Sequence, residues 1–490
     1  MRILRNILAF LLVFLVVTGG ALWWLTRGVP AVYTLDEVSG TDPLLAAPDP
    51  QWFPTVGVAR PIGWGDDGAP VAADGLVVNR FAEGLEHPRV LYTMPGGDVL
   101  VTLSNAPAGQ LAGGWLTNMV AGFLFSRAGA AVPSPNKLVL LRDADGDGVA
   151  EEQHVLRDDL DSPSGIAWHD GDLYIANHDE ILRFDYAEGA TSVTGEGEKL
   201  AALPPAGNHW MRNLILNPEG TLLYVAVGSA SNIAEGGLDI ETNRAAIHEI
   251  DLETKAARIW GSGLRNPNGL AWNPWSGELW TTVNERDQLG SDLVPDYLTN
   301  VPLGVNYGWP WVYYGDVIDE RVEAPMPQFH TEYTRTPEFA LGPHVAALGL
   351  VFTQAGSRMG GQFGRGAFIA RHGSWNRLPA AGYDVVFVGF DERGNPLGKP
   401  VTVLQSFLAG EGDTGETHGR PTWVAWDHTG GLLVSDDTAN IIWRVVDPAA
   451  APAAAPVRNR GARLPARREL IGDPARAFEE PQAGLAPDAL

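Results

Sequence analysis

The chain contains no cysteine, which excludes disulfides, thiolate nucleophiles, zinc–thiolate sites and a lipoprotein anchor. That lack does not by itself indicate a reducing compartment. Basic residues are scarce: 34 Lys and Arg stand against 59 Asp and Glu, a formal net charge of −25. Nucleic acid, whose phosphates demand a basic surface, is excluded as a partner, and the balance reads as a solvated acidic surface. Between residues 74 and 446 there is almost no long run of period 3.6, so helices do not build the body.

The body instead repeats one short phrase about six times: a Gly or Pro, a few apolar residues, a turn, then an apolar strand. Clear copies are Pro163–Phe184, Arg212–Ser229, Asn266–Val283 and Arg420–Val445; looser ones are His87–Ser104 and Leu348–Arg371. In the Pro163 copy, Ile166-Ala167-Trp168 precedes the turn His169-Asp170-Gly171-Asp172, and Leu173-Tyr174-Ile175-Ala176 follows it. Gly and Asp supply the positive φ of tight hairpins, and the flanking β-branched and aromatic residues form strands. Six copies of a small antiparallel sheet predict an all-β fold, a six-bladed β-propeller; a two-sheet sandwich is the alternative. Copies begin near residues 88, 163, 212, 266, 348 and 420, and the excess length falls in insertions near 106–135, 288–343 and 395–418. Such insertions gather on the binding face of a propeller.

The expected organisation is a signal anchor or transmembrane helix at 1–27, a linker and lead-in at 28–73, the propeller at 74–447 and a disordered tail at 448–490. Arg2 and Arg5 precede an apolar run from Ile7 to Leu25, long enough to span a bilayer, and Trp23 and Trp24 suit its far interface. Thr18-Gly19-Gly20-Ala21 offers a cleavage site that would release a secreted body. The apolar stretch continues past it, which favours an uncleaved anchor in the cell membrane facing the periplasm. Within the first insertion, Leu111–Ala131 reads equally as a membrane-interface contact or as a helix packed on the propeller.

Chemistry is expected where polar residues open the blades. His209, in Gly207-Asn208-His209-Trp210-Met211-Arg212-Asn213, is a candidate general base. Arg265 and Asn266 share a loop stiffened by Pro267 and Gly269. Glu285, Arg286, Asp287 and Asp292 offer the carboxylates and turn carbonyls that a hard cation such as calcium takes. His344 precedes the fifth copy, and Arg420 opens the last. Arg371, His372, Trp375 and Arg377 put two guanidiniums, an imidazole and an indole in seven residues, a set suited to a flat anionic ligand. A purely structural reading, as loop ion pairs, stands beside each of these. Asp143, Asp145 and Asp147 match the first half of a calcium loop, with Gly148 in the glycine position and Glu151 within reach, but His154 stands where a full loop has Glu. This turn is either a structural calcium site or an ordinary acidic turn, apart from any catalytic site.

In HWMRN, LRNPNGLAW, VNERDQLGSDLVPDYL, NYGWPW, ALGLVF and ARHGSWNR the chain resembles the soluble quinoprotein sugar dehydrogenases, the glucose/sorbosone dehydrogenase family, and most closely its sorbosone-dehydrogenase-like branch. The resemblance covers roughly residues 74–446. It implies a propeller that binds pyrroloquinoline quinone (PQQ) and calcium on one face and oxidises an aldose sugar or related aldehyde. It further implies His209 as base, Arg265 and Asn266 against the quinone, turn carbonyls of Glu285–Asp287 on calcium with Asp292 nearby, and basic residues of Arg371–Arg377 on the quinone carboxylates. The last segment differs in wording from the glucose-oxidising members. Arg286-Asp287 replaces their Gly-Pro, which brings the Asp287 side chain into question as a ligand. Electrons would pass to an exported cytochrome or the membrane quinone pool. Two other readings remain: a calcium-dependent lactonase, which has no use for several arginines around a flat anion, and a non-catalytic binding propeller, which would be indifferent to His209.

Overall fold

The computed structural model of the chain describes residues 2–108, 122–410, 415–454 and 457. Six antiparallel sheets, each of four strands with a fifth added to one of them, stand around an axis. Their first strands are Pro88–Thr93, Ile166–His169, Leu214–Leu216, Asn266–Trp272, Ala347–Phe352 and Pro421–Trp426. Each packs on the next, and the last returns to the first, so these are the inner strands of blades one to six. Each of the six copies read in the sequence is one blade.

The glycine inside the phrase has a packing cause. A Cβ at Gly165 would meet the Arg212 carbonyl oxygen at 2.3 Å, and one at Gly269 the Leu348 oxygen at 2.4 Å. Neighbouring inner strands approach too closely for any side chain there. The recurrent tryptophan stitches blades together: Trp272 Nε1 donates to Leu216 O at 2.8 Å, and Trp426 Nε1 to Phe352 O at 2.9 Å. Each such buried bond contributes about 1 kcal/mol.

The fourth strands had no apolar signature because they are half exposed, as Glu198–Ala202 and Ala257–Ser262 show. One of them, Pro396–Gln405, occupies much of what the sequence suggested was an insertion at 395–418. The stretch 288–343 likewise contains two strands of blade four, Pro295–Asn300 and Phe339–Pro343, leaving 301–338 as the true excursion. The ring closes where Val77–Glu83 pairs with Ile441–Val446 as the outer strand of blade six.

Inner strands all start at one face, the mouth. The loops between second and third strands also lie there, including 285–294 and 372–383. The turn carrying Asp143 joins the third and fourth strands of blade one and lies at the opposite end.

Residues 28–62 are not a loose linker. Val32 and Tyr33 donate main-chain N–H to Asp292 Oδ2, Gln51 N–H donates to Gln288 O, and Gly57 N–H to Trp375 O. The segment is a strap fixed across the mouth-side loops of blades four and five. Ahead of it runs a helix, Arg2–Thr26, on which Phe10, Leu12, Leu15 and Val16 are exposed. Among the described residues no helix is long and apolar enough to cross a membrane. A helical turn over 122–127 leaves Phe123 and Phe125 exposed; the rest of the expected membrane contact, 111–121, and the tail from 458 lie outside the described residues.

Candidate active site

His209 sits on the connection into blade three. Its Nδ1 lies 2.8 Å from Ser229 O and 3.1 Å from Ser229 Oγ. The Ser229 hydroxyl proton goes to Ser231 O at 2.7 Å, so Nδ1 carries the imidazole proton and Nε2 keeps its lone pair. Burial, then the positive charge of Arg265, lowers the His209 pKa to about 3, so the ring is neutral at ordinary pH. A Cβ at Gly228 would lie 2.6 Å from His209 Cβ and 2.3 Å from Asn266 Oδ1; the glycine lets base and amide close on each other.

Arg265 is buried and all five of its donors are engaged: Nε with Asn232 O, Nη1 with Asn284 O and Glu285 O, Nη2 with Asn232 Oδ1 and Asp287 Oδ2. It is a fixed charge rather than a free donor. Burial works against a charged Asp287, but Arg265 and His344 outweigh it and hold the carboxylate below its usual range. His344 Nδ1 lies 3.5 Å from Asp287 Oδ1, and its Nε2 is 3.0 Å from Gly290 O. Asn266 donates to Asn284 Oδ1 at 3.1 Å.

A second group faces this one from blades five, six and one. Asp437 accepts from Arg89 and lies 2.9 Å from His372 Nε2. Burial opposes its charge, yet His372 and Arg89 hold it far below the carboxylate range. Burial, then Arg420, lowers the His372 pKa to about 4. Arg420 spends Nε on His372 O and Nη2 on Gly373 O. Arg89 Nε and His87 Nδ1 are buried without a hydrogen-bond partner. Arg89, His87, Asp437 and Asn232 were not singled out in the sequence; each works through a partner on another blade or loop, and no local pattern marks them.

Several expected site residues are not in this constellation. Asp292 pairs with Arg377 at 2.9 Å and holds the strap. Arg371 forks onto Asp384 and donates to Leu341 O at 2.9 Å, fixing a loop. Arg286 turns into the 301–338 excursion, with Glu285 at 3.0 Å, Pro310 O at 2.6 Å and Val312 O at 2.9 Å. Trp375 lies beside the strap and is 41% exposed. In the loop 285–292 several of the expected calcium ligands already have protein partners. The Glu285 carbonyl accepts from Arg265, the Asp287 carbonyl from Arg321 and Asn232, and the Asp292 carboxylate from Arg377 and the strap. Among the described residues the one cluster suited to an ion is Asp143, Asp145, Asp147 and Glu151, whose ligand oxygens lie within 4.8 Å of one another.

Fold and mouth together define the class: a six-bladed propeller whose buried arginines surround a neutral histidine. The TrAA12-like family model matches residues 137–300 and 327–447, more than half of the chain, and the chain belongs to that family. The resemblance to PQQ-dependent sugar dehydrogenases thus holds, and the protein is an oxidoreductase of that kind. It is 22% identical over 422 residues to the pyrroloquinoline quinone-dependent sugar dehydrogenase of Hypocrea jecorina, covering 76% of this chain and 89% of that protein. The calcium structure of the Trichoderma reesei AA12 enzyme shares the fold with a TM-score of 0.62 at 20% identity, over 77% of this chain and 97% of that one. The holo PQQ domain of pyranose dehydrogenase from Coprinopsis cinerea does so with a TM-score of 0.61 at 20% identity, over 79% and 100%.

Proposed function

We propose that the chain oxidises an aldose sugar or related aldehyde at the mouth of the propeller, with PQQ as cofactor and His209 as base. The observation that carries this reading is the His209 ring: neutral, proton fixed on Nδ1, Nε2 free, beside a guanidinium that cannot move. The mouth fits a flat polycarboxylate. Arg89 Nε is a buried donor without an acceptor, and Arg420 has Nη1 in reserve. An anion there satisfies groups that are otherwise costly to bury.

PQQ, when bound, supplies the hydride acceptor. His209 Nε2 takes the proton from the sugar hydroxyl as the C–H bond is broken. Arg265 holds a positive charge beside the reaction with no reorganisation, because five acceptors fix it. Calcium has its best-matched described place in the Asp143 turn, away from the mouth, as a structural ion; no step is routed through a metal. Export of the protein, with electrons passing on to a cytochrome or quinone, completes the reading.

The test is PQQ-dependent dye reduction with a panel of aldoses and aldehydes, comparing the chain with His209→Ala. Turnover lost with PQQ binding kept supports the reading; unchanged turnover removes His209 as base.

A further inference from the structure

We propose that Asn232 is a positioning residue of this site: from the turn 229–232 it locks the Arg265 guanidinium and the Asp287 main chain, while Ser229 of the same turn holds His209. The inference rests on the reading of His209 as base and deepens it.

Every polar atom of the Asn232 side chain is committed inside the protein. Oδ1 accepts from Arg265 Nη2 at 2.9 Å and from Asp287 N–H at 2.9 Å, and Nδ2 donates to Asp287 O at 3.3 Å. Its carbonyl takes Arg265 Nε at 3.1 Å and Trp309 Nε1 at 3.0 Å. Only one Nδ2 hydrogen is left uncommitted, so Asn232 acts chiefly through Arg265. The side chain must be an amide. One oxygen serves two donors while the nitrogen serves a carbonyl, which neither a carboxylate nor an apolar group can reproduce.

The turn itself is braced from behind. Both oxygens of the buried Glu241 carboxylate are used on it, one by Ser231 Oγ and one by Ala230 N–H at 2.8 Å. Three side chains three residues or fewer apart therefore control two reacting groups from different blades. Ser229 fixes the His209 tautomer, Ser231 fixes the turn, and Asn232 fixes the cation. Loss of the Asn232 side chain takes one contact from Arg265, at Nη2, and two from the Asp287 main chain that bears its other Nη2 partner, so the Nη2 end of the guanidinium loosens relative to the imidazole. A misplaced charge lowers the chemical step more than substrate binding.

The experiment uses the full chain, loaded with PQQ for kinetics and without it for spectroscopy. In Asn232→Ala, kcat falls at least about 10-fold while KM for the sugar stays within about 2-fold. With 15N-arginine labelling, the separate Nη–H signals of a rotation-locked Arg265, assigned by their loss in Arg265→Lys, collapse to averaged ones in Asn232→Ala without any quinone present. Should the alanine variant fail to fold, Asn232→Ser, which keeps an acceptor near Nη2, gives the same changes in smaller measure. Turnover within 2-fold of the wild type, or a lowered Tm with the Arg265 signals still resolved, overturns the proposal. If instead His209→Ala remains active, the base reading fails, while the Arg265 signals still decide the role of Asn232.

Discussion

The guanidinium of Arg89 lies over the indole of Trp210 at 5.4 Å from the ring centre, although the two residues belong to blades one and three. The contact continues into Met211, whose sulfur lies 2.9 Å from Arg89 Nη2. The loop carrying His209 is thus drawn across to the start of blade one, where Arg89 stands. A cation–π contact of this kind is worth about 1–2 kcal/mol when desolvated. Trp210→Ala is expected to loosen the His209 loop, lowering kcat more than thermal stability; stopped-flow dye reduction set against the Tm shift measures the split.

Proton linkage follows from the lowered pKa of His209. The folded ring binds a proton only near pH 3, whereas the unfolded one binds it near 6.5. Between those values the unfolded state carries more protons, so this group's contribution is complete above 6.5 and is lost as pH falls. His372, lowered to about 4, acts the same way. Burial raises Asp296 to about 7 and Asp436 to about 6, and these work in the opposite direction. The difference in urea stability between the wild type and His209→Gln therefore isolates the histidine. It should change with pH below about 6.5 and be constant above it.

Arg265 contributes to that lowering through its charge. Arg265→Met should move the acid limb of kcat/KM to higher pH and reduce kcat, with Asp287 left short of its partner. A pH–rate profile over pH 4–8 checks both.

The Asp292–Arg377 pair lies on the strap, outside the catalytic mouth. Asp292→Asn leaves a buried guanidinium underpaired, a change that costs about 3–5 kcal/mol. The expected result is a lower Tm and early proteolysis within residues 28–62, with PQQ affinity little changed once folded.

Calcium should raise the Tm of the wild type through the Asp143 turn. Asp145→Ala should abolish that rise without lowering turnover, because the turn is at the end of the propeller opposite the mouth. Differential scanning calorimetry with and without chelator reads it.

The blades were legible because inner strands are mostly apolar and some carry or adjoin a glycine that packing demands, as Gly165 and Gly269 show. His209 and Arg265 drew attention because they stand at blade starts. Arg371 and Arg377 drew attention at the end of the second strand of blade five and in the loop after it, which reaches the same face. A guanidinium in a mouth-side loop has the same local sequence whether it meets a cofactor or a carboxylate such as Asp384 or Asp292, and the partner lies 13 residues away in one case and 85 in the other. The strap was read as a linker because it makes its bonds through the main chain, which leaves no side-chain period. Asn232, Arg89 and Asp437 act across the ring, so no window of sequence contains them with their partners.

The most direct test is an absorbance titration of PQQ into the purified chain, followed by dye reduction with aldoses. The account predicts saturable binding that is weakened by Arg89→Met and Arg420→Met but kept in His209→Ala, with turnover lost in that last variant. No quinone binding, or full turnover without His209, contradicts it.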